Sequence, residues 1–246
     1  MTYKYLWDKF TDYYSSLVFH PQFFLKKYNN TAILLAEKYA TGTLLDIGCG
    51  RMPYKKRLLP KIKRYIGLDS PVTAKMYHGE NKPDIFADAN KIPLVNKSID
   101  TILSLQVLEH LSEPQKSLSE IKRLLKKNGM LILSTVQYYP LHDEPYDFYR
   151  YTKYGLINLL KEQGFKIIKF KEEGNVFILM GQSFNIYLML VLKKLINTFI
   201  GKILAILLLP FFLSVTTIIN LITYPLSCFD KNSHFRIIHT LVAKNI

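Results

Sequence analysis

Short apolar runs, each too brief for a helix and each halted by turn residues, alternate with helix-patterned segments along the first two thirds of this chain. The runs at residues 43–47, 65–68, 85–87, 99–105, 130–136 and 165–170 have strand length. Between the fourth and fifth runs lies a marked helix pattern. Ser112 followed by Gln115 makes a capping box, with Pro114 in the first turn. Leu118, Ile121, Leu124 and Leu125 form its apolar stripe, with Lys122, Arg123, Lys126 and Lys127 in the last two turns and Asn128-Gly129 as the stop. Thr31 is placed to cap an earlier helix, and Thr152 a later one through Leu156, Leu159 and Leu160 that Gly164 closes. Strands alternating with helices imply parallel pairing through crossovers, so the fold class is α/β.

The first strand runs directly into Gly48-Cys49-Gly50. Small residues at 48 and 50 let a ligand approach the backbone without a Cβ in the way. Asp46 sits two residues before the first glycine, where a carboxylate can accept from an ammonium group or water. Asp69, with Ser70 after it, ends the second strand, 19 residues beyond Gly50. At that spacing an acid bonds ribose hydroxyls in nucleotide-binding α/β folds. Asp88-Ala89 follows the third strand, placed to meet an adenine amino group. All three acids then converge at the carboxyl ends of adjacent strands, where such folds bind ligands. A dinucleotide is the competing ligand, and an NAD(P)-dependent sugar-nucleotide enzyme the competing activity. Its fingerprint wants a small residue at position 53, where this chain has Pro53. A cationic sulfonium ligand without phosphates needs no pyrophosphate cradle and suits acidic residues.

The segments LLDIGCG, GLDS, DANKIPLVNKSIDTILSLQVLEHL and NGMLILST, in that order over residues 40–172, resemble the type 11 methyltransferases, a family of class I S-adenosylmethionine-dependent enzymes. The resemblance implies a three-layer Rossmann-like fold with a seven-stranded sheet, the last strand antiparallel. Residues 237–243 would be that last strand. It also implies that Asp46, Gly48, Cys49 and Gly50 surround the methionine part of the donor, that Asp69 and Ser70 hold the ribose, Asp88 and Ala89 the adenine, and that Gln106 flanks the sulfonium. Met52 departs from the pattern, since many relatives carry a third glycine there.

An acceptor would enter beyond the fourth and fifth strands. His110, Tyr138, Tyr139, Tyr149 and Arg150 stand there as candidate substrate residues, in and beside a Pro-bounded polar and aromatic run at 140–152. A similar HxxPxDxxRYT pattern occurs in type 11 relatives encoded among surface-polysaccharide genes. His142 is the candidate general base, with Asp143 as its orienting partner; Arg150 alternatively braces the loop through Asp147. No metal-ligand spacing is evident, so no metal is expected.

From residue 175 the character changes. Residues 175–192 and 203–229 carry no charge, with Lys193, Lys194 and Lys202 between them. The second run exceeds the ~20 residues that span a bilayer, although Pro210, Pro225 and Asn220 argue against one straight span. The final strand must return to the sheet, so the chain crosses a membrane twice or not at all. Two crossings would put the lysines on the far side, against the positive-inside tendency. Helices lying in one leaflet with lysines at the headgroups are the favoured reading. A transmembrane hairpin, or burial in an oligomer interface or over a greasy pocket, are the others.

The expected organisation is therefore an N-terminal helical segment (1–40), a methyltransferase core (41–174), an apolar helical insertion (175–229) and a closing strand (230–246). Lys and Arg number 33 against 19 acids, for a net charge of +14, which suits an anionic membrane surface; the cluster Lys55, Lys56, Arg57, Lys61, Lys63 and Arg64 could contribute. Nucleic acid is not expected, because no recognisable module interleaves basic with exposed aromatic residues. The two cysteines, far apart, form neither a disulfide framework nor a metal pair. Residues 1–10, with Lys4, Asp8 and Lys9, lack the long apolar run of a leader. The reading that follows is a methyltransferase acting on a small-molecule or lipid-linked acceptor at the cytoplasmic face of the cell membrane, or in the cytoplasm. A non-catalytic membrane adaptor that keeps the fold is the alternative.

Overall fold

A computed structural model describes residues 17–72, 82–231 and 234–246. The N-terminal run at 1–10 and Asn232 lie outside the described residues. The described residues form two compact units, one within 29–173 with 238–246 and one within 17–28 with 174–237.

The larger unit is a sheet between helices. In chain order its elements are α1 (Phe23–Tyr39, from Asn29 on), β1 (Thr43–Ile47), α2 (Lys55–Leu58), β2 (Arg64–Asp69), β3 (Ile85–Phe86), β4 (Ile99–Leu105), α3 (Pro114–Leu124), β5 (Leu125–Val136), α4 (Lys153–Glu162), β6 (Phe165–Glu173) and β7 (Ile238–Asn245). The strands lie in the order β3-β2-β1-β4-β5-β7-β6. Pairing is parallel from β3 to β5, and β7 runs antiparallel to both β5 and β6. The α/β class and the antiparallel last strand are as the sequence implied.

Side-chain alternation divides the core into two layers. Leu45, Ile47, Ile102, Leu131, Leu133 and Leu241 face α3 and α4 through Leu118, Ile121, Leu156 and Leu160. Their neighbours Leu44, Leu103, Ile132 and Val242 face the other side, against Ile33 and Ala36 of α1 and Leu58 of α2.

Three helix boundaries differ from expectation. Thr31 is interior, because α1 starts upstream at Phe23. Ser112 caps nothing: the N-cap of α3 is Glu113, without a side-chain bond, and Pro114 opens the first turn. The same helix stops at Leu124 rather than at Asn128-Gly129. Leu125 is already extended and pairs with Ile99 of β4, while Asn245 of β7 donates to the Leu125 and Lys126 carbonyls at 3.0 and 3.2 Å. Sheet pairing thus claims residues that helix propensity alone would have kept. The Thr152 cap does form, its hydroxyl accepting from the Gly155 amide at 3.2 Å.

The smaller unit is a pair of long helices, α5 (Val176–Leu195) and α6 (Phe199–Leu226). Asn175 and Thr198 cap them. α6 runs unbroken through Pro210. The helices lie close where Gly181 meets Thr223, since a Cβ on Gly181 would come within 2.4 Å of the Thr223 hydroxyl. Asn185 donates to Asn220 at 2.9 Å. Backbone carbonyls at 18–21 are taken up by side chains of the pair: Asn220 donates to Val18 and His20, Thr216 to Phe19 and Gln182 to Pro21. Both helices are long and apolar enough to cross a membrane, with mean hydropathy of 1.6 and 2.3 over their most apolar windows.

Leu118 is fully buried where α3 meets the sheet. Leu118→Ala should lower unfolding free energy by about 2–5 kcal/mol, read from urea melts; a smaller loss would mean that this layer is loosely packed.

Candidate active site

The carboxyl ends of β1 to β5 form one edge, and the turn after β1 is folded back onto β2 there. The Gly48 and Cys49 amides both donate to the Leu68 carbonyl, at 2.8 and 3.1 Å. Gly48 has φ +69°, and a Cβ on it would lie 2.3 Å from the Val107 side chain, so only glycine fits. Gly50, at φ +54°, faces open space with no atom within 4 Å of where its Cβ would stand. Its amide donates to Asp69 Oδ2 at 2.8 Å, and the Ser70 amide donates to Asp69 Oδ1 at 2.7 Å. Asp69 therefore binds the glycine turn to the end of β2.

Asp46 lies in register with Gly67 of β2 and Leu103 of β4. Its carboxylate is buried and accepts a hydrogen bond from the Tyr65 hydroxyl. Burial lifts this carboxyl to about 7, against the Tyr65 bond, and the Asp69 charge adds to the lift. Cys49 is buried, and its thiol is pushed well above its ordinary range by burial and by the neighbouring acids, so it stays a thiol. Met52 takes a left-handed conformation, φ +53°, the backbone that a third glycine would supply. Its sulfur lies over Gly67, where a Cβ would come within 2.7 Å of it. An acid that the motif reading passed over, Asp84, accepts from the Gly67 amide at 2.7 Å and steadies the approach to β3.

Asp88 is exposed just beyond β3 and accepts from the Asn90 amide at 2.8 Å, while Ala89 is buried. The following loop is pinned to α3: Glu120 accepts from the Ile92 amide, and Arg123 donates to the Ile92 and Leu94 carbonyls. Gln106, at φ +57°, follows β4 and is tied to β5 through Ser134, by its amide at 3.0 Å and its side chain at 2.9 Å. Of the residues expected at a donor, Gly48, Cys49, Gly50, Asp69 and Ser70 are brought together at the end of β2. Asp46 instead turns to Tyr65, and Gln106 to Ser134.

The loop after β5 is braced rather than loose. Arg150 forks onto Asp147 at 2.6 and 2.7 Å and also donates to the Tyr139 and Pro140 carbonyls, which holds the Asp147 carboxyl down at about 2. Phe148 and Tyr149 donate their amides to the Glu109 carbonyl, and the Tyr149 hydroxyl donates to Ser112. Tyr138 and Tyr149 are exposed. His142 Nδ1 lies 3.1 Å from Asp147 Oδ2 and 3.2 Å from the Pro140 carbonyl. The carboxylate oriented on it is Asp147's; Asp143 sits at the left-handed bend of the loop, φ +51°. Burial holds the His142 imidazole below its ordinary value despite the pull of Asp147. His110 Nδ1 lies 2.8 Å from the Tyr146 carbonyl, and the His110 and His142 rings meet edge to face at 4.7 Å. Beneath them Glu109 is fully buried: Oε2 accepts from Thr135 at 2.8 Å, and Oε1 has no hydrogen-bond partner. Burial raises its carboxyl above the ordinary value.

Strand order and glycine turn together are those of the Rossmann-like methyltransferase fold, with its last strand antiparallel. Residues 45–133 match the type 11 family model, described as a methyltransferase domain. A probable S-adenosylmethionine-dependent methyltransferase of Mycolicibacterium smegmatis is 26% identical over 142 residues, covering 54% of this chain and 55% of that protein. The ubiquinone biosynthesis O-methyltransferase of Pelagibacter ubique is 28% identical over 99 residues, 38% of this chain and 41% of the relative. The chain spans about half the length of the curated relatives it matches. A solved S-adenosylmethionine-dependent methyltransferase from Archaeoglobus fulgidus superposes with a TM-score of 0.56 at 15% identity, covering 99% of this chain and all of the other, which speaks for the fold.

S-adenosylmethionine is the cofactor of the class, and the residues fit it. The space over Gly50 is what a Cβ would fill, and acidic Asp69 and Asp88 lie along the same edge. Asp69→Ala should weaken donor binding by roughly ten- to a hundredfold in calorimetry, the range for a lost bond to a charged group of about 1.5–3 kcal/mol; unchanged affinity would remove Asp69 from the donor site. Asp46 gives a pH test. A carboxyl raised in the folded state favours folding below about pH 4 and loses that contribution as pH rises through about 7. The melting temperature of wild type should therefore fall relative to that of Asp46→Asn between those pH values, and a constant difference would mean that Asp46 is not buried as described.

Proposed function

We propose that this chain transfers a methyl group to a hydroxyl of an acceptor held at a membrane surface: a lipid-linked saccharide, a glycolipid or an isoprenoid-derived lipid. The supporting observation is the apolar surface of α6. Phe199, Ile200, Ile206, Leu207 and Phe211 are all exposed, and no charge interrupts residues 203–229. Such a surface is larger than soluble monomers usually show to water. Lys193, Lys194 and Lys202 cluster near the helix connection, where ammonium groups meet anionic headgroups while their stems stay apolar. A relative named for O-methylation in ubiquinone biosynthesis is consistent with a lipid acceptor. The same lysines favour the cytoplasmic face.

Bound S-adenosylmethionine supplies an electrophilic methyl carbon, already activated by its sulfonium. What remains for the protein is alignment and removal of one proton. Asp69 and Ser70 hold the donor's ribose side, Asp88 and Ala89 its adenine, and the turn at 48–50 its amino-acid end. At the acceptor side, both oxygens near His142 Nδ1 are acceptors only, so Nδ1 carries the proton and Nε2 is left basic. Burial keeps that ring neutral near pH 7, the state a general base requires. Tyr138, Tyr149 and Arg150 line the approach.

Incubation with methyl-labelled donor and a membrane lipid extract, followed by mass spectrometry, should show label in one lipid class. Donor binding with no label in any fraction would favour the adaptor reading instead. In vesicle flotation with anionic liposomes, replacing Ile206, Leu207 and Phe211 together by Ser should cut partitioning more than about tenfold, since each buried side chain of this size contributes about 1.5–3 kcal/mol. Equal flotation would refute the membrane reading.

A further inference from the structure

We propose that Glu109, His110 and His142 form a binding site for one divalent transition-metal ion of the zinc, iron(II) or manganese type. One ligand atom from each of the three lies within 4.8 Å of the others. The buried Glu109 carboxylate carries the argument. It is fully enclosed, only Oε2 has a partner, and Oε1 is left bare, an arrangement that costs about 1–3 kcal/mol or more unless something meets the oxygen. The charge of Arg150 reaches it from the loop, yet that guanidinium is committed to Asp147 and to the Tyr139, Pro140 and Tyr149 carbonyls.

Both imidazoles are set up as ligands by what stands behind them. His110 Nδ1 faces the Tyr146 carbonyl, and His142 Nδ1 faces the Pro140 carbonyl and the Asp147 carboxylate. Oxygens that only accept fix the proton on Nδ1 in each ring and leave each Nε2 lone pair for an ion. An imidazole whose far nitrogen is bonded to a carbonyl or carboxylate is the usual backing of a metal-bound histidine. Two nitrogens and one carboxylate oxygen are a donor set for borderline divalent ions, and three protein ligands leave positions open for water or substrate. The atoms need to close by a small side-chain rotation, since ligand bonds are about 2.0–2.2 Å long.

The inference rests on the proposed reading of this end of the site and deepens it. With an ion in place His142 acts through the metal, and an acceptor hydroxyl on an open position would give up its proton to solvent more readily. The test needs no acceptor. Chelator-treated full-length protein is titrated with Co²⁺ and Zn²⁺ by calorimetry, with the Co²⁺ visible spectrum recorded alongside. One equivalent should bind, with d–d bands of a nitrogen and oxygen site, and Zn²⁺ should displace it. Glu109→Gln and His142→Gln should each weaken affinity at least tenfold, with circular dichroism verifying the fold; should Glu109→Gln fail to fold, His142→Gln, on the loop, carries the test alone. Absence of saturable binding to wild type, or unchanged affinity in the folded variants, overturns the site. Donor binding is measured on the same samples: its loss in wild type refutes the methyltransferase reading and leaves the metal result standing, while intact donor binding without an ion refutes the metal site alone.

Discussion

The bond from the Gly50 amide to the Asp69 carboxylate extends to the far end of the turn a link that the Gly48 and Cys49 amides begin on the Leu68 carbonyl: that between the turn leaving β1 and the end of β2. Strand pairing ends at Ile47 and Leu68, and the last backbone bonds between the two segments run from Gly48 and Cys49 to the Leu68 carbonyl. Beyond it the chain must bend with positive φ at Gly48 and Gly50, conformations without intrinsic preference for one direction of departure. A single carboxylate accepting from Gly50 on one oxygen and from Ser70 on the other sets that direction. It also leaves the space above Gly50 clear. Asp84 repeats the device one strand further out, on the Gly67 amide. Acids on this edge thus serve to shape backbone, the turn after β1 and the approach to β3.

The far side of the edge follows a different logic. Here a loop of more than ten residues is held by one charged fork, Arg150 on Asp147, and by backbone bonds to the Glu109 carbonyl. The fork reaches His142 as well, because Asp147 accepts from the His142 amide and faces its ring. An arginine that reads as a substrate contact is therefore also the brace that positions the histidine. Removing its charge would release Asp147, the loop carbonyls and the ring together, so any effect on acceptor binding would be coupled to loop order.

How much was legible in the sequence tracks how local each signal is. The glycine turn, Asp69 at its 19-residue spacing and the Thr152 cap depend on neighbours in the chain, and the structure has the turn, the acid and the cap in place. Six strands follow from alternation, while the seventh and its antiparallel pairing are what the family resemblance implies. What escaped depends on distant partners. α3 ends early because Asn245, 120 residues away, takes the Leu125 carbonyl. The Tyr65 hydroxyl that donates to Asp46 stands 19 positions on and one strand over, and nothing near Asp46 in the chain announces it. Asp143 stands next to His142 in sequence, but the bend at Asp143 brings Asp147 to the ring instead. Glu109 and His142 are 33 positions apart, too far for any ligand spacing to be recognised, and only the loop's return over the end of β4 gathers them.

The smaller unit carries its own constraint on how it can meet a membrane. Gln182, Thr216 and Asn220 spend their polar groups on the carbonyls of residues 18–21, which are not helical. Irregular backbone is disfavoured in hydrocarbon unless protein covers it, and on the membrane reading proposed above this level of the helix pair is placed outside the lipid core. The apolar length left in α6 before Thr216 is then 199–215, about 25 Å at 1.5 Å per residue, short of the ~30 Å core. Lys202 lies within that length and Lys193 and Lys194 close to it. Aliphatic lysine stems can follow an apolar face while their ammonium groups return to the headgroups, which a helix along the interface permits and one driven end-on to the midplane does not. Within that proposal, the polar seam on residues 18–21 and the lysines near the connection agree on a helix pair lying in one leaflet, joined to the sheet by a chain that leaves after β6 and comes back as β7.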